Sequence, residues 1–329
     1  MSQSRLFKPL KIGPIEIAHR IAMAPLTRLR ATEDRVPTPL MKEYYSQRAA
    51  VPGTLIITEG TFISATCGGY PHAPGLWRED QIAAWKTITD EVHGKGCYVF
   101  CQLFAMGRAA NAEVARTEGV PIVAPCAIPI EESAVVPEAM TADEIKQTIH
   151  NFVFASKNAI RAGFDGVEIH GANGYLLDQF IQYASNQRQD EYGGNVENRS
   201  RMLNDLIKSV VDAIGPQRVG LRLSPWSTFQ GMRMEDPISQ STDIIQKAIQ
   251  ADIAYLHLVE SRSAETCRKN YPDKNIVVIF GRYFISNPDL VYRMKEGLEL
   301  SVYHRDTFLC RQFSSGILGL SIQRKVSGK

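Results

Sequence analysis

The stretch Thr141–His170, TADEIKQTIHNFVFASKNAIRAGFDGVEIH, contains one complete helix–strand unit. Its first four residues match the capping-box pattern, and apolar residues then recur at three- and four-residue spacing, which predicts a helix over 141–162. Gly163 follows where the C-terminal end of a helix favours glycine. Gly166–His170 is a short apolar run of the kind that forms a buried strand. The order helix, turn and strand is typical of an α/β protein.

The same kind of apolar run occurs six more times, and most of these runs are followed by an amphipathic stretch. The other runs cover Arg20–Pro25, Thr54–Glu59, Tyr98–Leu103, Val219–Ser224, Ala254–Val259 and Ile276–Phe280. Further helices are predicted over 79–94, 196–214, 239–250 and 287–297. Repeated strand–helix units fit two architectures, an open doubly wound sheet and a closed (β/α)8 TIM barrel.

The ends of the predicted strands favour the barrel. An open dinucleotide-binding sheet is expected to carry Gly-x-Gly-x-x-Gly after an early strand, but the first three runs end in Pro-Leu-Thr, Glu-Gly-Thr and Gln-Leu-Phe. In a barrel, the active site lies at the carboxyl ends of the strands. The polar residues at these ends are Thr27, Glu59, Gln102, His170 and Arg222.

One of the eight barrel strands is predicted to be missing. The interval from Val259 to Ile276 is too short for a further strand with its helix, since a strand–helix unit needs roughly 30 residues. Strand 7 and much of its helix are therefore expected to be absent from a single domain that spans residues 1–329.

The composition indicates an ordinary globular protein. The 37 Lys and Arg residues balance 35 Asp and Glu residues, and the formal net charge of +2 argues against a nucleic-acid partner. The sequence shows neither a signal peptide nor an apolar stretch long enough to span a membrane. Its six cysteines have no metal-ligand spacing, and no HExxH motif occurs. We therefore expect a cytoplasmic monomer or homodimer with no membrane partner and no bound metal.

The turn after the Gly166–His170 run, HGANGY at 170–175, carries the most distinctive side chains. His170 and Asn173 can donate hydrogen bonds to one carbonyl or nitro oxygen, and Tyr175 can supply a proton from another direction. Alternatively, His170 and Asn173 only satisfy backbone groups within a tight turn. The local sequence leaves both interpretations open.

A longer stretch, HGANGYLLDQF at 170–180 followed by NQRQDEYGGNVENR at 186–199, resembles the old yellow enzyme family of flavin-dependent ene reductases. Further motifs of this family occur in the family's order. They are LFKPLKIG at 6–13, AMAPLTR at 22–28, YYSQR at 44–48, TEGT at 58–61, LRLSP at 221–225 and FGRYFISNPDL at 280–290. The resemblance extends to fungal members, including those of ergot-alkaloid biosynthesis.

The resemblance implies a (β/α)8 barrel that binds FMN non-covalently, accepts hydride from NADPH and passes it to an electron-poor alkene. The residues that match the family's FMN site are Pro25 and Thr27 beside the ring, Gly60 at a close approach, Gln102 at the pyrimidine edge, Arg222 near N1, and Gly281 and Arg282 at the phosphate. Taken alone, each of the ring-side residues has a simpler structural explanation, such as a turn for Gly60 or an internal ion pair for Arg222.

The resemblance also assigns the substrate side of the site. His170 and Asn173 match the pair that binds the activating oxygen of an α,β-unsaturated carbonyl compound, an enone or enal, and Tyr175 matches the proton donor. Tyr70 and Phe104 are expected to line the pocket. Many relatives have Trp at the position of Phe104, and the smaller ring is expected to change substrate orientation.

The chain departs from the family in two places. Segment 261–279 is shortened, so that it lacks strand 7 and the glycine turn that binds the flavin phosphate, and the tail at 309–329 is atypical. Two hypotheses follow. The first is an FMN-dependent NADPH ene reductase. The alternative is a flavin-impaired or flavin-free homologue that is inactive or acts as a non-redox acid–base isomerase.

Overall fold

The computed structural model of the chain describes residues 4–232, 234, 236–259 and 275–303. The strands in this part of the chain are β1 (Leu10–Ile12), β2 (Ile15–Ile17), β3 (Ile21–Met23), β4 (Leu55–Ile57), β5 (Thr61–Phe62), β6 (Tyr98–Phe104), β7 (Val123–Ala124), β8 (Glu138–Ala139), β9 (Gly166–Gly171), β10 (Val219–Leu223), β11 (Tyr255–Leu258) and β12 (Val278–Phe280). The helices are α1 (Pro39–Arg48), α2 (Glu79–Gly94), α3 (Ala112–Glu118), α4 (Ala142–Arg161), α5 (Leu176–Ile181), α6 (Val196–Ile214), α7 (Pro237–Gln250), α8 (Arg282–Ser286) and α9 (Leu290–Glu296).

Seven parallel strands form the barrel wall in the order β11, β10, β9, β6, β4, β3, β12, and β5 adds to one end of β6. These are the seven strands predicted from the sequence. Among the described residues, no strand lies between β11 and β12, so the wall has the predicted gap at strand 7. Residues 261–274 and 309–329, which were expected to be shortened and atypical, lie outside the described residues.

The β1–β2 hairpin covers the amino-terminal end of the barrel. Its strands pair antiparallel, and Ile12, Ile15 and Ile17 pack with apolar side chains of β3, β4 and β6. Burial of these three side chains excludes water from that end of the wall. The opposite, carboxyl end of the strands remains as the open end, where barrel enzymes place their chemistry.

The helices pack outside the wall, with α1 against α2, α2 against α4, α4 against α6 and α6 against α7. Trp85 of α2 is fully buried, and its ring centroid lies 6.1 Å from that of Tyr45 and 5.3 Å from that of Phe164. Its indole N–H donates to the carbonyl of Gly75 at 3.2 Å, so the ring is buried without an unsatisfied donor. No helix among the described residues is long and apolar enough to cross a membrane.

The predicted helix over 287–297 is too long. Helix α9 begins at Leu290 and ends at Glu296. Asn287 has φ −130° and ψ 83°, which is not helical, because the residue before Pro288 is sterically disfavoured in the helical region. The other four predicted helices are confirmed, with ends that shift by no more than two residues.

Helix α4 supplies a test of the capping box. The Thr141 hydroxyl accepts from the Glu144 N–H at 3.2 Å, and the Glu144 carboxylate accepts from the Thr141 N–H at 2.7 Å. Thr141→Ala should therefore lower the free energy of unfolding by about 1 kcal/mol in urea denaturation. Thr87→Ala, at an exposed position inside α2, is the control and should change it by less than about 0.5 kcal/mol. An equal loss in both variants would contradict the capping role.

Candidate active site

The carboxyl ends of neighbouring strands bring the predicted polar residues together. Parallel pairing puts Gln102 of β6 opposite Glu168 of β9, and it puts His170 of β9 opposite Arg222 of β10. Arg222 in turn lies opposite His257 of β11. Residues two apart on a strand share a face, so Glu168 and His170 lie on the same side of the wall. The result is a continuous polar surface across four strands.

The turn after β9 is held in an unusual backbone conformation. Asn173 and Gly174 have φ values of 59° and 75°, in the left-handed backbone region that residues other than glycine rarely adopt. The Asn173 N–H donates to the Ser224 hydroxyl at 2.7 Å, and the Gly174 N–H donates to the Asp178 carboxylate at 2.8 Å. These two bonds fix the turn and therefore the positions from which Asn173 and Tyr175 project.

Asp178 is a buried acid that the sequence analysis did not single out. Burial raises its pKa to about 6, although hydrogen bonds from Gln182 and the Gly174 N–H oppose the shift. The next residue, Gln179, donates to the carbonyls of Met106 and Gly174 at 3.1 and 2.7 Å. Gln179 thereby ties the turn to the segment that follows β6, while Asp178 stabilises the turn itself. Their signal in the sequence is a polar pair inside the otherwise apolar helix α5.

His170 is a neutral imidazole inside an aromatic cluster. Burial lowers its pKa well below the ordinary value, and the charge of Arg222 acts in the same direction. Its ring centroid lies 5.0 Å from that of Tyr175 and 6.1 Å from that of Phe104. Its buried Nδ1 atom has no hydrogen-bond partner within the described part of the chain. A buried polar atom of this kind is costly unless a ligand satisfies it.

Tyr175 presents a phenol that keeps its proton. Burial raises its pKa, and Tyr70 adds to the shift, while a hydrogen bond with Gln230 opposes it. Its ring packs edge to face against that of Phe104, with 5.3 Å between the ring centroids, and the Phe104 ring stacks on that of Phe62 with 4.7 Å between centroids. The predicted lining residues Tyr70 and Phe104 therefore do lie beside Tyr175. A protonated phenol among aromatic rings can act as a proton donor.

The loops after β3 and β4 carry the next predicted residues. Thr27 is exposed and Pro25 is half-buried in the loop after β3. A Cβ atom on Gly60 would lie 3.0 Å from Cε1 of Phe104, so the aromatic ring occupies the space that glycine leaves. The close approach of the Phe104 ring therefore favours glycine at this position independently of any ligand.

Glu59 holds the loop that carries Thr27. Its carboxylate is almost completely buried and accepts from the N–H groups of Arg28 and Leu29 at 3.0 and 3.3 Å. Leu29 has φ 55°, so these bonds stabilise a strained backbone. The hydroxyl of Tyr45 accepts from the Glu59 N–H at 3.0 Å. The sequence placed Glu59 at a strand end but assigned it no role.

Gly281 and Arg282 follow β12, the strand that pairs with β3. A Cβ atom on Gly281 would meet Leu26 at 3.4 Å, which is ordinary contact, so sterics do not demand glycine here. Arg282 is exposed, and its guanidinium donates to the hydroxyl of Tyr303 at 3.0 Å. Gly281 thus lies next to the loop of Thr27, and Arg282 already has a polar partner.

Comparison with known proteins agrees with this geometry. Residues 5–272 match the NADH:flavin oxidoreductase / NADH oxidase family. The chain belongs to this family. The crystal structure of an old yellow enzyme from Pichia sp. AKU4542 is 38% identical, superimposes with a TM-score of 0.92, and the alignment covers 98% of this chain and 94% of that one. The resemblance to old yellow enzymes is confirmed.

Fungal relatives of this flavin oxidoreductase differ from one another in the activity that their names describe. A chanoclavine-I aldehyde reductase of Penicillium roqueforti is 45% identical, and the alignment covers 93% of each chain. A probable inactive reductase of Epichloe festucae var. lolii is 44% identical over 94% of this chain and 92% of the relative. The likeness to fungal members, including those connected with ergot alkaloids, is therefore confirmed.

The buried carboxylate of Glu59 makes stability depend on pH. Burial raises its pKa from 4.5 to about 7 in the folded protein, against the opposing hydrogen bonds from the loop. The folded state therefore retains a proton that the unfolded state has lost, and the contribution of Glu59 to the free energy of unfolding should fall by roughly 3 kcal/mol as the pH rises from about 4.5 to 7. Urea denaturation across this pH range measures the fall.

Glu59→Gln should remove this contribution, because the amide does not titrate, while the contribution of the buried Asp178 remains. Glu33→Gln, at an exposed position in the loop between β3 and α1 that Glu59 holds, is the matched control and should keep the slope of the unsubstituted protein. Identical slopes in Glu59→Gln and in the unsubstituted protein would show that Glu59 is not the titrating group.

Proposed function

We propose that this chain is an FMN-dependent NADPH oxidoreductase that reduces the activated C=C bond of an α,β-unsaturated carbonyl compound. The observation that carries the proposal is the neutral His170 with its unpartnered Nδ1 atom, beside Asn173 and the protonated phenol of Tyr175. We place the protein in the cytoplasm as one domain, a monomer or homodimer. A role in fungal secondary metabolism, such as ergot-alkaloid biosynthesis, fits the relatives.

The residues around the polar surface fit the ring of FMN. The enclosed Nε atom of Arg222 has no hydrogen-bond partner in the described part of the chain, and Arg222 can carry charge beside the ring. Gln102 offers an amide to the pyrimidine edge, and the exposed Thr27 offers a hydroxyl. On the phosphate side, Gly281 and Arg282 are the candidates, and Arg282 would leave Tyr303 to bind an anion. Bound FMN would carry hydride from NADPH to the alkene.

His170 and Asn173 would hold the substrate through its carbonyl oxygen. A neutral imidazole donates one hydrogen bond, and the Asn173 amide donates a second, so the oxygen acquires two donors as negative charge develops on it. Preorganised donors of this type cost no reorganisation when the charge appears. The bonds from Ser224 and Asp178 to the turn keep Asn173 in place for this role.

Tyr175 would supply the proton to the α-carbon. Its raised pKa keeps the hydroxyl protonated at neutral pH, and its contacts with Phe104 and His170 fix the ring. Tyr70 would line the same side of the pocket. Because Phe104 packs flat on Phe62, we expect the pocket to admit a substrate over the Phe104 ring in an orientation that a larger residue would change.

The second candidate function is an acid–base isomerase, or an inactive protein, without flavin. It is favoured by the absence, among the described residues, of a strand between β11 and β12. The resemblance places the phosphate-binding turn after that strand. In that case His170, Asn173 and Tyr175 would move a proton on an enone without net reduction. The isomerase needs neither FMN nor NADPH, which separates the two functions experimentally.

Substitution of the proton donor tests the proposal through its two half-reactions. Tyr175→Phe should leave the reduction of FMN by NADPH unchanged and slow the reduction of an enone such as 2-cyclohexenone by roughly 10²- to 10⁴-fold, because only the second step needs a proton from the phenol. Stopped-flow absorbance of the flavin under anaerobic conditions measures each step separately.

Tyr183→Phe is the control, because Tyr183 is 59% exposed and lies on the surface of the barrel. It should leave both half-reactions unchanged. Equal slowing of both half-reactions by Tyr175→Phe would overturn the role as a proton donor. Conversion of the enone without NADPH would favour the isomerase.

A further inference from the structure

Glu168 is a buried acid at the centre of the polar surface, and the proposed function gives it no role. Its side chain is completely buried at the middle of β9. The Gln102 amide donates to one carboxylate oxygen at 2.7 Å. The other oxygen accepts from the Tyr255 hydroxyl at 3.1 Å and bonds Nδ1 of His257 at 2.9 Å. Glu168 therefore connects β9 to β6 on one side and to β11 on the other.

The charge of Glu168 is balanced inside the barrel. Burial acts to raise its pKa, but the attraction of His257 and Arg222 together with the hydrogen bonds outweighs burial and lowers the pKa below the ordinary value. The group is therefore a carboxylate, which only accepts hydrogen bonds. Each of its hydrogen-bonding partners must then turn a donor toward it, including Nδ1 of His257 and the NH₂ group of Gln102.

A glycine on β10 makes room for this arrangement. Gly220 lies opposite both Glu168 and Tyr255 in the sheet. A Cβ atom at Gly220 would lie 2.3 Å from Cζ of Tyr255, so any other residue would displace the ring that reaches across β10 to the carboxylate. The backbone of the strand between them is thus adapted to the bond between Tyr255 and Glu168.

We propose that Glu168 is a positioning residue that fixes the amide of Gln102 with its oxygen, not its NH₂ group, toward the bound ligand. The inference rests on the proposed function, in which Gln102 meets the pyrimidine edge of FMN. Because the Gln102 Nε2 group donates to Glu168, the Gln102 oxygen Oε1 is left to face the site. No described residue donates a hydrogen bond to this oxygen. The site therefore selects a ring edge that carries an N–H donor, as the imide of the flavin does.

Glu168→Gln would remove this selection while keeping the shape of the side chain. Its amide can donate as well as accept, so Gln102 could turn either its oxygen or its NH₂ group toward the ligand. General loosening of the site would weaken all ligands alike. A change in the preference between two ligands that differ only at the N–H group would instead report on the amide orientation of Gln102.

The test compares the binding of FMN and of N3-methyl FMN by quenching of flavin fluorescence. The unsubstituted protein should bind FMN at least about tenfold more tightly, since the methylated ring has lost one hydrogen-bond donor. In Glu168→Gln this preference should fall to about twofold, and in Gln102→Leu it should fall to the same value. Glu113→Gln, at an exposed position on α3, is the control and should keep the full preference.

Glu168→Asp is the second variant, in case Glu168→Gln does not fold. It keeps the charge, but the side chain is one methylene shorter and its carboxylate lies farther from Gln102. The preference for FMN over N3-methyl FMN should therefore fall in the same way. An unchanged preference in a folded variant at position 168 overturns the positioning role while leaving the proposed function intact. Failure of the unsubstituted protein to bind FMN overturns the proposed function, and this inference with it.

Discussion

The buried carboxylate of Glu168 orders the polar interior of the barrel. It hydrogen-bonds residues of β6 and β11 and lies beside Arg222 of β10, so four strands meet at one charge. A lone carboxylate in this position would be strongly destabilising, because burial removes its hydration. Arg222 compensates the charge, and the donors of His257, Gln102 and Tyr255 satisfy its oxygens. The same contacts that make the charge tolerable also decide which way the neighbouring side chains turn.

Two further buried acids act on the loops in a related way. Glu59 accepts from two backbone N–H groups beside Thr27, and Asp178 accepts from the backbone N–H that follows Asn173. Both loops contain a residue with positive φ, at Leu29 and at Asn173. Burial raises the pKa of both acids, so each carries a cost in stability at neutral pH. Strained loops held by costly acids are expected where function, rather than stability, sets the geometry.

The strands and most helices could be predicted because their sequence patterns are local. Alternation of apolar runs with amphipathic stretches predicted all seven wall strands, and Thr141 marked the start of α4. Helix α1 was missed because Arg48 and other polar side chains are buried in it, so its sequence shows no apolar stripe. The β1–β2 hairpin was missed because its strands, LKI and IEI, alternate apolar and charged residues and therefore form no continuous apolar run.

The predicted site was incomplete for a different reason. Polar residues at strand ends stand out in the sequence, and the structure brings His170, Arg222 and Gln102 together as expected. Glu168 lies in the middle of a strand, where its role depends on residues of β6 and β11 that are distant in the chain. Its spacing of two residues from His170 was the available signal, because it put both side chains on one face.

The central claim is that this interior binds FMN although the described wall is open between β11 and β12. The most direct measurement is the visible absorption spectrum of the purified protein after incubation with FMN and removal of the free cofactor, recorded before and after anaerobic addition of NADPH. The account predicts stoichiometric flavin absorption that NADPH bleaches. A protein that remains colourless after the free FMN is removed would contradict it.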